Sequence, residues 1–230
     1  MIFGGLQKSS LIDYPGKISC IIFMAGCNFH CPYCHNPELA RGQLPQPIPE
    51  EKFFNFLAGR KGLLDGVVIT GGEPSLSPEL AGICEKIKQM GYLIKLDTNG
   101  SRPFILKQLI NNGLLDYVAL DIKTDPAAYV PILAKKHTPA DLLNTIKIIM
   151  ESAPDYEFRT TCFKPLINES ILKIILNIID GAKLYVLQQL QFEKMLNQSL
   201  MNRKDLRYSS DQLYWFKKIA EQFVQKCTVR

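Results

Sequence analysis

Cys20-Ile21-Ile22-Phe23-Met24-Ala25-Gly26-Cys27-Asn28-Phe29-His30-Cys31-Pro32-Tyr33-Cys34-His35-Asn36-Pro37 begins as an apolar run and ends as a cysteine-rich loop. The run closes a β-rich segment that starts at Lys17, and a short continuous apolar stretch of this kind reads as a buried strand. Cys27, Cys31 and Cys34 follow it at the spacing C-x3-C-x2-C. Thiolates this close face one another once a turn forms, so an ion or a cluster is their natural occupant. Structural zinc and ordinary iron–sulfur sites want four protein ligands. Three leave a coordination position open, and an open position is where a substrate or cofactor can bind.

Working outward, the same arrangement of a β-rich run followed by polar or glycine-containing sequence recurs. Gly66 to Thr70 leads into Gly71-Gly72-Glu73-Pro74, and Tyr92 to Leu96 leads into Asp97-Thr98-Asn99-Gly100. Tyr117 to Leu120 leads into Asp121-Ile122-Lys123, Glu157 to Phe163 contains Arg159, and Lys183 to Leu187 leads into Gln188-Gln189. Between them the apolar spacing is helical over Glu50 to Gly59, Pro78 to Met90, Arg102 to Asn111, Thr138 to Ser152, Asn168 to Asp180 and Asp211 to Gln225. Leu39 to Pro49 and Asn197 to Ser210 read as connections. Alternation of this kind predicts an α/β fold of βα units on a parallel sheet, wound into an open barrel or a doubly wound sheet. In such folds the carboxyl ends of the strands share one rim, where active sites are built. The cysteines, Gly71-Gly72-Glu73-Pro74, Asp97 to Gly100, Asp121 and Lys123 should therefore converge.

The 230 residues suit one domain, with a core over 1–192 and a loop and helix over 193–230 packed on it. No apolar run is long enough to span a membrane, and the start lacks a secretory signal pattern, which predicts a cytoplasmic protein with reduced thiols. Seven cysteines then read as ligands plus bystanders: Cys20, Cys84, Cys162 and Cys227 are small packing residues. A charge of +5, with short basic pairs such as Arg60-Lys61, Lys135-Lys136 and Arg203-Lys204, reads as a solvated surface and not a nucleic-acid stripe.

Each motif has a blander reading. Cys31-Pro32-Tyr33-Cys34-His35 fits covalent haem attachment, but that leaves Cys27 unexplained and belongs outside the cytoplasm. A structural zinc site with His30 or His35 would explain the cysteines but none of the other rim motifs. Gly71 and Gly72 allow close backbone approach, and Pro74 holds Glu73 extended, aiming its carboxylate at a cation. Asp97-Thr98-Asn99-Gly100 offers groups suited to ribose hydroxyls or a cation, and otherwise a turn. Lys123 shares a strand face with Asp121 and could simply pair with it.

Taken together, C-x3-C-x2-C with Tyr33 before the third cysteine, then Gly-Gly-Glu, resembles the signature of radical S-adenosylmethionine enzymes. The resemblance implies a partial (β/α)6 TIM-like barrel, mostly parallel. It implies a [4Fe–4S] cluster on Cys27, Cys31 and Cys34 whose fourth iron is chelated by S-adenosylmethionine, with Tyr33, Gly71, Gly72 and Glu73 in the cosubstrate site. Cys34-His35-Asn36-Pro37 and Asp13-Tyr14-Pro15-Gly16 look like the glycyl-radical-enzyme activases, and the Tyr117–Lys123, Arg159–Thr161 and Tyr185–Gln189 segments look most like those serving anaerobic ribonucleoside-triphosphate reductase. By that likeness Asn99 contacts the nucleoside, Asp97, Thr98 and Asp121 help hold a monovalent cation, and Lys123, with Arg159, meets the ligand carboxylate. The implied reaction is reductive cleavage of S-adenosylmethionine to methionine and a 5′-deoxyadenosyl radical that takes hydrogen from a glycine of a partner enzyme. A flavodoxin- or ferredoxin-like protein would donate the electron. A pyruvate formate-lyase-type activase, a radical enzyme acting on a small molecule such as a pterin, and a non-enzymatic zinc module are the alternatives. Gln188 and Gln189 carry no assigned role.

Overall fold

The structure is a computed structural model and describes all residues except 136–137, 193–194 and 201–202. Lys136 of one basic pair, and part of the segment expected as loop before the last helix, thus lie outside the described residues. Among the described residues the strands are β1 (Ile2–Phe3), β2 (Gly5–Ser10), β3 (Ser19–Met24), β4 (Ile48–Pro49), β5 (Gly66–Gly71), β6 (Leu93–Thr98), β7 (Tyr117–Asp121), β8 (Tyr156–Cys162), β9 (Tyr185–Gln189) and β10 (Cys227–Val229). The helices are α1 (Pro37–Ala40), α2 (Glu50–Ala58), α3 (Leu80–Gln89), α4 (Pro103–Asn111), α5 (Tyr129–Ile132), α6 (Pro139–Ser152), α7 (Glu169–Ile178) and α8 (Ser210–Ala220). Their starts follow local chemistry. Pro103 and Pro139 sit in first turns, Asn168 caps α7 by accepting from the Ile171 N–H, and Ser209 with Gln212 forms a capping box for α8.

The main sheet runs β10-β9-β8-β7-β6-β5-β3-β2, with β3 through β10 parallel and β2 antiparallel to β3. All six strands read from the sequence are there, in sequential order. With the parallel strands in sequential order, right-handed crossovers put the connecting helices on one face, so the sheet curls into a partial barrel instead of a doubly wound layer. The helix-covered face is apolar: Ile22, Val67, Ile69, Leu96, Leu120, Phe158 and Leu187 are all fully buried in one large core. The concave face alternates with it. At its amino-terminal end Tyr14, Ile21, Val68 and Tyr117 form a second, small apolar cluster that plugs the barrel.

Three elements differ from the sequence reading. Residues 193–230 were expected to supply a loop and a helix, but they also contribute β10, which extends the sheet beside β9. The last helix ends at Ala220 and turns there to release that strand, instead of running on to Gln225. Within Leu39 to Pro49, Ile48–Pro49 pairs with Ile2–Phe3 as a two-stranded sheet. Strands of two or three residues carry too little periodicity to be seen. The four scattered cysteines are buried packing residues.

Candidate active site

The main chain indexes the cysteine loop to the loop after β5. Gly72 N donates to Met24 O (2.8 Å), and Glu73 N donates to Gly26 O (2.8 Å). A Cβ on Gly72 would stand 2.0 Å from Gly26 O, and one on Gly71, whose φ is +117°, would stand 2.3 Å from Met24 O. No side chain fits at either position. Further along, Cys34 N donates to Cys31 O (3.0 Å), the turn that brings these two thiols to one side. The loop after β6 joins the same assembly, since Asn99 Nδ2 donates to Asn28 Oδ1 (2.9 Å) and Asn28 Nδ2 to Ser101 Oγ (2.8 Å).

Glu73 is extended before Pro74, as its neighbour requires (φ −118°, ψ 105°). Its carboxylate does not face outward, though. It is 1% exposed, with Oε1 accepting from Ser75 N (3.1 Å), Ser75 Oγ (2.5 Å) and Thr98 Oγ1 (2.8 Å), and Oε2 from Asn99 N (2.7 Å). Burial pushes its pKa up, and these hydrogen bonds pull it part of the way back. Glu73 thus ties the second rim loop to the third.

A cavity of about 480 Å³ opens at the carboxyl ends of the strands. Cys27, Cys31, Cys34 and Tyr33 border it, with Gly71, Gly72, Asp97, Thr98 and Asn99, and with Asp121, Lys123 and Arg159. Of the residues expected to converge on the rim, Glu73, Pro74 and Gly100 do not line this space, and the others do. Gln188 and Gln189 line it too, and Gln189 Nε2 also donates to Tyr208 O (2.9 Å), securing the approach to α8.

Beneath the cavity lies a ladder of charge. Arg159 Nε bonds Asp121 Oδ1 (2.7 Å), and its Nη1 bonds Asp97 Oδ2 (3.1 Å). Lys95 Nζ bonds Asp97 Oδ1 (2.6 Å), and Lys123 Nζ lies 3.3 Å from Asp121 Oδ2. Burial alone would push both aspartates up. The cations outweigh it: Arg159 and Lys95 hold Asp97 below the usual carboxylate range, and Arg159 and Lys123 hold Asp121 well below it. Lys123 is a firm cation for the converse reason, because Asp121 outweighs the burial that would neutralise it. Lys95, Glu157 and Arg230 are members of this ladder that sequence reasoning missed. For two of them a signal existed. Lys95-x-Asp97 and Glu157-x-Arg159 are two-residue spacings on strands, which put both members on one face, as for Asp121-x-Lys123.

Burial raises the pKa of all three thiols, Cys31 to about 11. Binding a cationic centre releases their protons. Among the described residues no three His, Cys, Asp or Glu side chains gather as ligands of a single metal ion. The three thiols border the cavity described above. The Tyr33 hydroxyl, buried beside them, finds no hydrogen-bond partner among the described residues. With paired cations at one end and side-chain-free glycines at the other, the residues present fit an iron–sulfur cluster and an amino-acid-bearing nucleoside.

The Radical SAM superfamily matches residues 21–177, and the chain belongs to it. It is therefore an enzyme of the class that uses a [4Fe–4S] cluster and S-adenosylmethionine. A protein of Methanocaldococcus jannaschii, provisionally named a glycyl-radical enzyme activating enzyme, is 30% identical over all of this chain and 95% of its own length. The pyruvate formate-lyase-activating enzyme of Clostridium pasteurianum is 32% identical over 56% of each chain. The 7-carboxy-7-deazaguanine synthase of Haemophilus influenzae is 26% identical over 66% of this chain and 62% of its own. Among solved structures, QueE from Escherichia coli superposes with a TM-score of 0.57 at 12% identity, over 100% of this chain and 93% of the other, a likeness of fold alone. No helix among the described residues is long and apolar enough to cross a membrane.

Proposed function

We propose that this protein is a glycyl-radical-enzyme activase. Cys27, Cys31 and Cys34 would hold a [4Fe–4S] cluster, and Lys123 with Arg159 would receive the carboxylate of S-adenosylmethionine. Asn99 would meet its nucleoside, and Asp97 and Asp121, whose oxygens are taken by Lys95, Arg159 and Lys123, would hold those cations in place and not a further monovalent one. When bound, cluster and cosubstrate supply one-electron cleavage of a C–S bond and hydrogen-atom abstraction, chemistry that belongs to the cofactors. The protein's own part is to position and exclude. The Tyr14–Tyr117 plug closes the floor against water, the charge ladder fixes Arg159 and Lys123, and the glycine crossing sets the spacing of the loops. No side chain needs to act as acid or base.

The observation that carries this reading is the convergence of these residues on one cavity in a chain related over its whole length to a protein named for activation of a glycyl-radical enzyme. The unclosed sheet supports a polypeptide substrate. Its edge strands β2 and β10 do not pair with each other, and Gln7, Gln189 and Gln191 line the cavity on that side with amides suited to a peptide backbone. The partner we favour is anaerobic ribonucleoside-triphosphate reductase, with an enzyme of the pyruvate formate-lyase type as second choice and a small flavin or iron–sulfur protein as electron donor. Incubating the reconstituted protein anaerobically with each candidate, S-adenosylmethionine and a reductant should give a glycyl-radical doublet by electron paramagnetic resonance. Turnover of a free pterin without any protein partner would overturn the proposal in favour of deazapurine chemistry, to which the Haemophilus relative points.

A further inference from the structure

The barrel floor contains one cation for which no motif accounts. Just past β10, Arg230 N donates to Leu187 O (3.0 Å) and Arg230 O accepts from Gln189 N (2.7 Å), so strand pairing fixes its backbone while its side chain lines the cavity. The guanidinium grips Glu157 with two hydrogen bonds, Nη2 to Oε2 (2.9 Å) and Nη1 to Oε1 (3.3 Å). Glu157 is fully buried, and two other cations wait 3.8 Å from its Oε1: Lys95 Nζ and Arg159 Nη1. Both are engaged elsewhere. Arg159 Nη1 is the nitrogen that bonds Asp97, and Lys95 Nζ bonds the other oxygen of the same aspartate.

A buried carboxylate must be paired, and it takes the nearest cation if its own is removed. Glu157 and Asp97 thus compete for one nitrogen of Arg159, and Arg230 decides the competition by satisfying Glu157. Among the described residues nothing takes Arg159 Nη2, which leaves that nitrogen for a ligand at the cavity wall. We infer that Arg230 is a positioning residue for the anion site: by holding Glu157 it keeps Arg159 turned toward Asp97 and Asp121, where with Lys123 it can receive a ligand carboxylate. The inference rests on the reading of Lys123 and Arg159 as the carboxylate site.

The test compares two ligands on the cluster-loaded protein: S-adenosylmethionine, and 5′-methylthioadenosine, which keeps the nucleoside and sulfur but has no carboxylate. Arg230→Gln should weaken S-adenosylmethionine about tenfold, as expected when a buried charge loses its partner. Iron content and methylthioadenosine affinity should stay at the wild-type level. Adding Glu157→Gln removes the competitor and should restore S-adenosylmethionine affinity to within about threefold. Unchanged affinity in Arg230→Gln, parallel loss of both ligands, or no recovery in the folded double variant would overturn the inference. Should Arg230→Gln alone not fold, Glu157→Gln is compared with Glu157→Gln/Arg230→Gln. With Glu157 neutral, removal of Arg230 should leave the affinity unchanged, and a further loss refutes the role. If instead the wild-type protein takes up iron yet binds S-adenosylmethionine no better than methylthioadenosine, the carboxylate-site reading itself fails.

Discussion

Glu73→Gln separates an organising carboxylate from a ligand-binding one. In the native protein three donors converge on Oε1 and one, the Asn99 N–H, on Oε2. A glutamine with its oxygen toward the three donors must turn its NH2 against the Asn99 N–H. In the opposite orientation, the two hydroxyls could rotate but the Ser75 N–H could not. The milder orientation loses one hydrogen bond to a charged acceptor, about 2 kcal/mol. In a chain of this length that corresponds to a fall in Tm of about 4–8 °C for the cluster-free protein. If the loss is local, exchange of the Asn99 amide should accelerate by about thirtyfold, the same energy expressed as an opening equilibrium. Differential scanning calorimetry and hydrogen-exchange mass spectrometry measure both. An unchanged Tm and unchanged Asn99 exchange, with weakened S-adenosylmethionine binding, would show that Glu73 turns outward to meet the ligand and that the organising role is wrong.

Gly72→Ala should block assembly of the cysteine loop against Gly26 and cut iron uptake on reconstitution to well under half, whereas Gly82→Ala, with open space around its Cβ in α3, should stabilise by up to about 1 kcal/mol. Cys31→Ala should abolish absorbance near ~400 nm after reconstitution, and Cys84→Ala should leave it intact because Cys84 only packs in the core. Tyr33→Phe removes a buried hydroxyl that lacks a partner among the described residues, so Tm, read by differential scanning calorimetry, should hold or rise. The folded pKa of Asp97 and Asp121 lies below the ordinary 3.8, so their stabilisation is present above that pH and is lost as the pH falls through the lower folded values. Asp97→Asn should flatten the acid limb of a urea-denaturation series, and an unchanged limb would disprove the assignment.

Residues whose role depends on chain-local chemistry were legible in the sequence. The six parallel strands, the rim position of the cysteines and Asn99, and the proximity of Asp121 and Lys123 follow from apolar runs, glycines and two-residue spacing. What escaped depends on contacts between distant segments. Thr98 and Asn99 lie some 25 residues from Glu73, so nothing local marks their donors as the carboxylate's partners. The Arg230–Glu157 pair spans 73 residues and is brought together by β10, a strand of three residues. Tyr14 showed itself only as part of a motif, and the fold uses its ring, 5.8 Å from that of Tyr117, to stop the barrel.

The crossing of Gly26 with Gly71 and Gly72 has a consequence for how such a protein can change over time. It works as a jig, in which the separation of the thiol loop from its neighbour is cut into the main chain and owes nothing to the side chains around the mouth. Amides, aromatics and charges at the mouth can then be exchanged freely to suit a new substrate, while the place where the cofactors sit stays in gauge. A substitution within the jig itself has no such latitude, because a Cβ on Gly71 or Gly72 runs into a carbonyl oxygen and Gly26 holds a positive φ of 89°.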